Sequence, residues 1–147
     1  MNTTELANRA KSYNGRIKFF QAKAVQDNEK LFVDFNRKQM LSSKTSKNEA
    51  FVNSLTGSTG LSPAYAKKTG KKKPNLFVDG TFQGEMFLET NENDGTYFVD
   101  SFWDKTKYLI DMYTNDIFGI PKPNMGKAIE VASKSMFDFY KNLVWKI

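Results

Sequence analysis

The stretch TFQGEMFLETNENDGTYFVDSF, residues 81–102, decides the fold class. In its first part, TFQGEMFLE (81–89), apolar residues alternate with polar ones, which is the period of a half-buried β-strand. The following NENDG (91–95) ends in an Asp-Gly pair, which is typical of a hairpin turn. TYFVDSF (96–102) then returns as the second strand. The stretch therefore predicts a small antiparallel β-sheet formed by one hairpin.

Helical periods lie on both sides of this hairpin. Apolar residues recur at helical spacing over 17–40, 105–114 and 125–143, and a shorter helix is predicted over 4–11. Because no Gly or Pro interrupts 17–40, the pattern predicts one long N-terminal helix. The sequence therefore predicts an α+β fold in a single domain, 1–147, with two C-terminal helices packed on the hairpin. The residues predicted to face the core are Ile17, Phe20, Ala24, Leu31 and Phe35 from the long helix, Tyr108, Leu109, Met112 and Tyr113 from the next, and Ile129, Ala132, Met136, Phe139, Tyr140 and Leu143 from the last.

Residues 42–74 differ in kind from the rest of the chain and are named the basic arm. They are rich in Ser, Thr, Gly and Lys and show no sustained hydrophobic period, which favours a long loop or extended arm. A short helical turn is predicted at Pro63–Lys67, and a short extended piece at Asn75–Val78 leads into the hairpin. Five lysines near the end of the arm form the lysine cluster, which consists of Lys67, Lys68, Lys71, Lys72 and Lys73.

Composition excludes several kinds of chemistry. The 147 residues contain neither Cys nor His, which removes disulfides, Cys/His zinc sites, thiol nucleophiles and every Ser-His or Cys-His catalytic pair. No apolar run has the length of a signal peptide or of a membrane span. We therefore expect a soluble protein made in a cytoplasm, with no cofactor, no bound metal and no membrane partner.

Charge is distributed in blocks along the chain. The net charge is +6, yet residues 44–78 carry seven lysines against one glutamate, while residues 79–116 carry nine acidic side chains against two lysines. Complementary patches on one molecule suit a head-to-tail contact between copies, which closes into a ring when the rotation fits. The alternative is that the two blocks neutralise each other within one subunit.

The lysine cluster has several possible roles. It is not a phosphate-binding P-loop, because Gly70-Lys71 is followed by Lys72 and lacks both the glycine spacing and the hydroxyl of that motif. Lysines attract nucleic-acid phosphates without reading sequence, but the run contains no Arg, and Tyr65 and Phe77 are the only nearby aromatic residues. A solvated loop, a protein-docking arm and a nonspecific nucleic-acid patch therefore all remain open.

The acidic residues around the hairpin offer a complementary surface rather than a catalytic site. Glu85 and Glu89 would lie ~13 Å apart along a strand, too far for a glycosidase-type pair. The run through Glu92 and Asp94 matches a calcium-binding loop poorly, because no acidic residue stands at its last position. The predicted complementary surface consists of Glu85, Glu89, Glu92 and Asp94.

Two apolar residues, Phe118 and Ile120, stand in the loop sequence DIFGIP between the last two helices. One interpretation places them at the end of the core. The other makes them a hydrophobic contact with a neighbouring subunit.

The order of segments resembles small virion proteins of tailed bacteriophages, of the head–tail connector or tail-completion type, especially those of Bacteroidetes and crAss-like phages. The segments that carry the resemblance are DFNRKQML (34–41), LSPAYAKKTGKKKP (61–74), LFVDGTFQGEMFLE (76–89) and TYFVDSFWDKTKYLIDMYTNDIFGI (96–120). The similarity covers residues 30–120, and the long Ser/Thr-rich segment 42–60 departs from the pattern.

The resemblance implies a non-enzymatic structural subunit, assembled in the host bacterial cytoplasm and located in the virion neck or tail. It would form a homo-oligomeric ring of six- or twelvefold symmetry that joins the portal to other neck and tail proteins. Genomic DNA would pass through the lumen and contact the ring nonspecifically. The main alternative is a phage-encoded accessory protein that binds nucleic acid nonspecifically through the lysine cluster.

Overall fold

Helices and one β-hairpin form the regular structure of residues 2–77 and 79–145, the residues that the computed structural model describes. The predicted α+β class, with C-terminal helices packed on the hairpin, is confirmed. The elements are α1 (Thr3–Gly15), α2 (Ile17–Gln26), α3 (Glu29–Leu41), α4 (Pro63–Thr69), α5 (Thr81–Gly84), β1 (Met86–Asn91), β2 (Thr96–Ser101), α6 (Thr106–Tyr113), a 3₁₀ turn (Asn115–Ile117), α7 (Lys122–Tyr140) and a π-helical turn (Lys141–Trp145). None of the helices in these ranges has both the length and the apolarity that crossing a membrane requires.

The hairpin begins later than the sequence predicts. Strands β1 and β2 pair from Met86 opposite Ser101 to Asn91 opposite Thr96. The predicted first strand was wrong for its first residues, which form the short helix α5 instead. The cause is local, because Asp79 Oδ1 accepts a hydrogen bond from the Thr81 backbone N–H at 2.9 Å and starts a helical turn there.

The hairpin turn lies against α2 rather than in open solvent. Gly95 has φ +76°, and a Cβ at this position would lie 2.6 Å from Gln21 Oε1 and 3.3 Å from the Lys18 backbone. Only glycine combines this conformation with so close an approach. The turn is also closed by Asp94 Oδ1, which accepts from the Thr96 N–H at 2.9 Å.

The predicted long helix over 17–40 is two helices, α2 and α3, so the prediction of one helix was wrong. Asn28 lies between them, and its side-chain N–H donates to Ala24 O at 2.7 Å and to Ser135 Oγ at 3.0 Å. A side chain that bonds the backbone in this way competes with the helix and ends it. The break also places Glu29 Oε1 3.2 Å from Leu88 N, so that α3 covers the outer edge of β1.

The main core lies between the inner face of the hairpin and the helices. Met86, Leu88 and Val99 are buried against α2 and α3. The two C-terminal helices complete the same cluster through Leu109 and Ile110 of α6 and Ala128 and Ala132 of α7.

A second, smaller core joins the two ends of the described chain. Tyr13 of α1 stacks on Phe20 at a ring-centroid distance of 4.7 Å, and Val144 is buried beside them. The Tyr13 hydroxyl donates to Met136 O at 3.1 Å. Two residues predicted to face the core are exposed instead: Ile129, whose place is taken by Ala128, and Tyr108.

Candidate docking surface

The first half of the basic arm is built into the fold. Phe51 is 1% exposed and belongs to the main core, with its ring 5.5 Å from that of Tyr113. The Ser46 N–H donates to Asp116 O at 2.7 Å, and Ser54 N donates to Met112 O at 2.8 Å. The arm approaches Gly119 so closely that a Cβ there would lie 2.9 Å from Ser46 Cβ. This half of the arm therefore packs on its own subunit and is not extended.

The second half of the arm contains α4, which confirms and lengthens the predicted turn at Pro63–Lys67. Ser62 Oγ accepts from the Tyr65 N–H at 3.3 Å and Pro63 occupies the first turn, which together start the helix. Gly70, at φ +69°, ends it in the left-handed conformation. Lys67 and Lys68 lie in the last turn, where the helix dipole stabilises a positive charge.

The extended piece predicted at Asn75–Val78 is not a strand over 75–77, and Val78 lies outside the described residues. Asn75 Oδ1 accepts from the Phe77 N–H at 3.1 Å, and Leu76 has φ +55°. This turn brings the chain back toward α6.

A groove of about 400 Å³ separates this turn and α4 from α6. We name it the tyrosine groove. Its aromatic walls and its two lysines are Tyr65, Phe77, Tyr108, Tyr113, Lys71 and Lys73.

The lysine cluster is divided by this groove. Lys71 and Lys73 line it, whereas Lys67, Lys68 and Lys72 are exposed and do not. None of the five lysines forms an ion pair within 4.0 Å with another described residue. One residue of the arm does pair with the acidic block: Lys47 Nζ lies 2.7 Å from Asp116 Oδ2, and this hydrogen bond raises the pKa of Lys47. Among the described residues, ion pairing between the arm and the acidic block therefore involves Lys47 and not the lysine cluster.

The outer face of the hairpin is aromatic and acidic. Phe87 of β1 stacks on Phe102, with 4.1 Å between ring centroids, and Phe102 is 74% exposed. Phe98 is half exposed and stands opposite Glu89 in the strand register. We name this surface the outer hairpin face; it consists of Glu85, Phe87, Glu89, Phe98 and Phe102.

The acidic residues predicted from sequence divide between this face and the turn. Glu85 and Glu89 are exposed on or beside β1, while Glu92 and Asp94 are exposed at the turn. Asp94 bonds within the turn, and the hydrogen bonds from the Thr96 hydroxyl and N–H hold its pKa below its ordinary value. Nearby Lys18 acts in the same direction.

The structure also places the remaining candidate residues. Ile120 is buried in the main core, and Phe118 packs against the same core with its ring 6.0 Å from that of Phe82. These positions agree with the interpretation that places the two residues of the DIFGIP loop at the end of the core. Across residues 2–77 and 79–145, no three acidic side chains converge in a way that could hold a metal ion.

Comparisons with protein-family models, with curated proteins and with solved structures found no match to this chain.

Sequence reasoning missed two parts of this surface. The helical period assigned Tyr108 to the buried side of α6, whereas its ring is 60% exposed at the groove. The prediction from the strand pattern identified the apolar inner face but did not include the stacking of Phe87 on Phe102 on the outer one. The alternation itself held the available signal, because Phe87, Phe98 and Phe102 occupy positions where a solvated strand face has polar residues.

Proposed function

We propose that this chain is a structural subunit that associates head to tail, with the exposed lysines of one copy on the outer hairpin face of the next. The observation that carries the proposal is that one subunit has two exposed surfaces of opposite charge. One is a group of lysines, Lys67, Lys68 and Lys72, without an ion partner among the described residues. The other is an uncovered aromatic face flanked by carboxylates.

Physical chemistry supports an interface between these surfaces. Exposed aromatic patches on folded domains mark interaction sites, and aromatic residues are enriched in interface cores. Opposite charges around such a patch set the orientation of the partner and speed association. Because the two surfaces lie on different parts of one subunit, the contact is heterologous and generates a ring or a filament.

The proposed setting is the neck or tail of a tailed bacteriophage virion, where the ring would join the portal to the tail and surround the DNA exit path. The resemblance of residues 30–120 to connector and tail-completion proteins supports this setting. The proposed role is structural and not enzymatic.

Purified protein tests the association directly. Mass photometry and negative-stain imaging of the wild type are expected to show closed assemblies of several copies. The variant K67E/K68E/K72E is expected to remain monomeric. The matched control K11E/K30E/K134E makes the same charge change at exposed lysines elsewhere and is expected to assemble. A monomeric wild type, or equal behaviour of the two triple variants, contradicts the proposal, and absence of the protein from virions contradicts the setting.

Nonspecific nucleic-acid binding through the lysine cluster is the second candidate, favoured by the lack of an ion partner for any of its five lysines among the described residues. It predicts sub-micromolar binding to DNA at physiological salt that collapses in K71Q/K72Q/K73Q. Weak binding that is insensitive to these substitutions removes it.

A further inference from the structure

The tyrosine groove has the composition of a ligand site, and nothing in the head-to-tail contact uses it. Four aromatic rings reach it from three places: Tyr65 from α4, Phe77 from the turn, and Tyr108 and Tyr113 from α6. Tyr65, Tyr108 and Tyr113 line the same groove. Burial raises the pKa of Tyr113, and the charges of Tyr108 and Tyr65 raise it further. The volume of about 400 Å³ is within the range of small-molecule sites.

The charge of the groove is positive. Lys71 and Lys73 line it, and no Asp or Glu is among its described lining residues. Lys71 Nζ is held at the groove, since it donates to the Phe77 carbonyl and lies 5.6 Å from the Phe77 ring centroid. A ligand that satisfies both the walls and the lysines is therefore flat, aromatic and anionic.

Two amides add hydrogen-bonding groups. Asn53 Oδ1 accepts from the Leu55 N–H at 2.9 Å, and Asn75 Oδ1 accepts from the Phe77 N–H at 3.1 Å. Both residues line the groove, and their amide N–H groups are donors that suit the edge of a nucleobase.

We propose that the tyrosine groove binds a nucleotide, with the base stacked on the tyrosines and the phosphate at Lys71 and Lys73. Aromatic rings stack on any base, and lysines neutralise phosphate as point charges, so the site would recognise the class of ligand rather than a sequence. The same chemistry is presented by a free nucleotide and by one residue of a single-stranded nucleic acid. The proposal is independent of the head-to-tail contact, which uses Lys67, Lys68 and Lys72.

The test measures binding of fluorescent oligothymidylate by anisotropy, with unlabelled thymidine monophosphate as competitor. Tyr108→Ala is expected to weaken binding about tenfold or more. Phe137→Ala, which removes a comparably exposed aromatic ring of α7 that lies outside both the groove and the outer hairpin face, is expected to change binding less than about twofold. Tyr108→Phe keeps the ring and is expected to retain binding, which separates loss of stacking from loss of the fold.

The dependence of the binding constant on salt concentration shows how many lysines contact phosphate. Two groove lysines predict a slope of log K against log salt of about −1.4 for a single strand, whereas all five lysines of the cluster predict about −3.5. Lys73→Ala is expected to weaken binding more than the neighbouring Lys72→Ala. If thymidine monophosphate competes with the oligonucleotide, the site binds free nucleotides. If it does not compete, the site binds single strands. No binding of either ligand, equal effects of Tyr108→Ala and Phe137→Ala, or a slope near −3.5 overturns the proposal.

Discussion

Replacing Phe51 by alanine tests whether the first half of the basic arm is part of the folded core. The side chain is 1% exposed, packs with the main cluster and lies 5.5 Å from the Tyr113 ring. Truncating a buried phenylalanine removes its burial and leaves a cavity, which together cost about 3–5 kcal/mol of the free energy of unfolding. An arm that docked only on a neighbouring subunit would contribute almost nothing to the monomer.

Urea unfolding followed by tryptophan fluorescence measures the loss. For a protein of this size a dependence of about 2 kcal/mol per molar urea converts a loss of about 4 kcal/mol into a midpoint about 2 M lower. Leu55→Ala is the matched control, because Leu55 belongs to the same arm and is 80% exposed; its expected effect is within about 0.5 kcal/mol. A loss below about 1 kcal/mol for Phe51→Ala, or equal losses for the two variants, would refute the reasoning.

Two further predictions concern the hairpin turn. Gly95→Ala is expected to lower the free energy of unfolding by about 1–3 kcal/mol, because Gly95 has φ +76° and a Cβ would lie 3.3 Å from the Lys18 backbone. Thermal unfolding measures this loss of stability. A neutral effect would contradict the docking of the turn on α2. Hydrogen bonds lower the pKa of folded Asp94, so its stabilising contribution is complete above the ordinary carboxyl pKa and is lost as the pH falls through the lower, folded value. Asp94→Asn is therefore expected to lose less stability than the wild type as the pH falls below about 4. Glu92→Gln, in the same turn, is the control. Identical profiles of stability against pH for the wild type and Asp94→Asn would count against the turn geometry.

Much of the architecture follows from local pattern. The apolar residues Met86 and Leu88, two positions apart, and the Asp-Gly turn predict the hairpin, and α6 and α7 follow their apolar periods. The break between α2 and α3 was not predictable from period, because Val25 of α2 and Phe32 and Phe35 of α3 keep helical spacing and pack in the same main core. It depends on the Asn28 side chain bonding Ala24 O and Ser135 Oγ, and the second bond exists only once α7 is packed alongside.

The candidate site was less predictable than the fold. The lysine run is visible in the sequence, but its division between groove and solvent depends on α4 folding back toward α6. That arrangement depends on two tertiary contacts, the packing of Phe51 on Tyr113 and the hydrogen bond from Ser54 N to Met112 O. In each contact the two residues are far apart in sequence. The low apolar content of the arm therefore suggested an extended segment, although one buried phenylalanine secures its first half.

The most direct test of head-to-tail association is a charge swap. The arm variant K67E/K68E/K72E and the hairpin variant E85K/E89K each place like charges at the contact, so each alone is expected to be monomeric by mass photometry. An equimolar mixture restores opposite charges at every contact and is expected to assemble to the mass of the wild-type oligomer. If the wild type assembles and the mixture remains monomeric, or if either variant alone assembles like the wild type, the proposed contact is wrong.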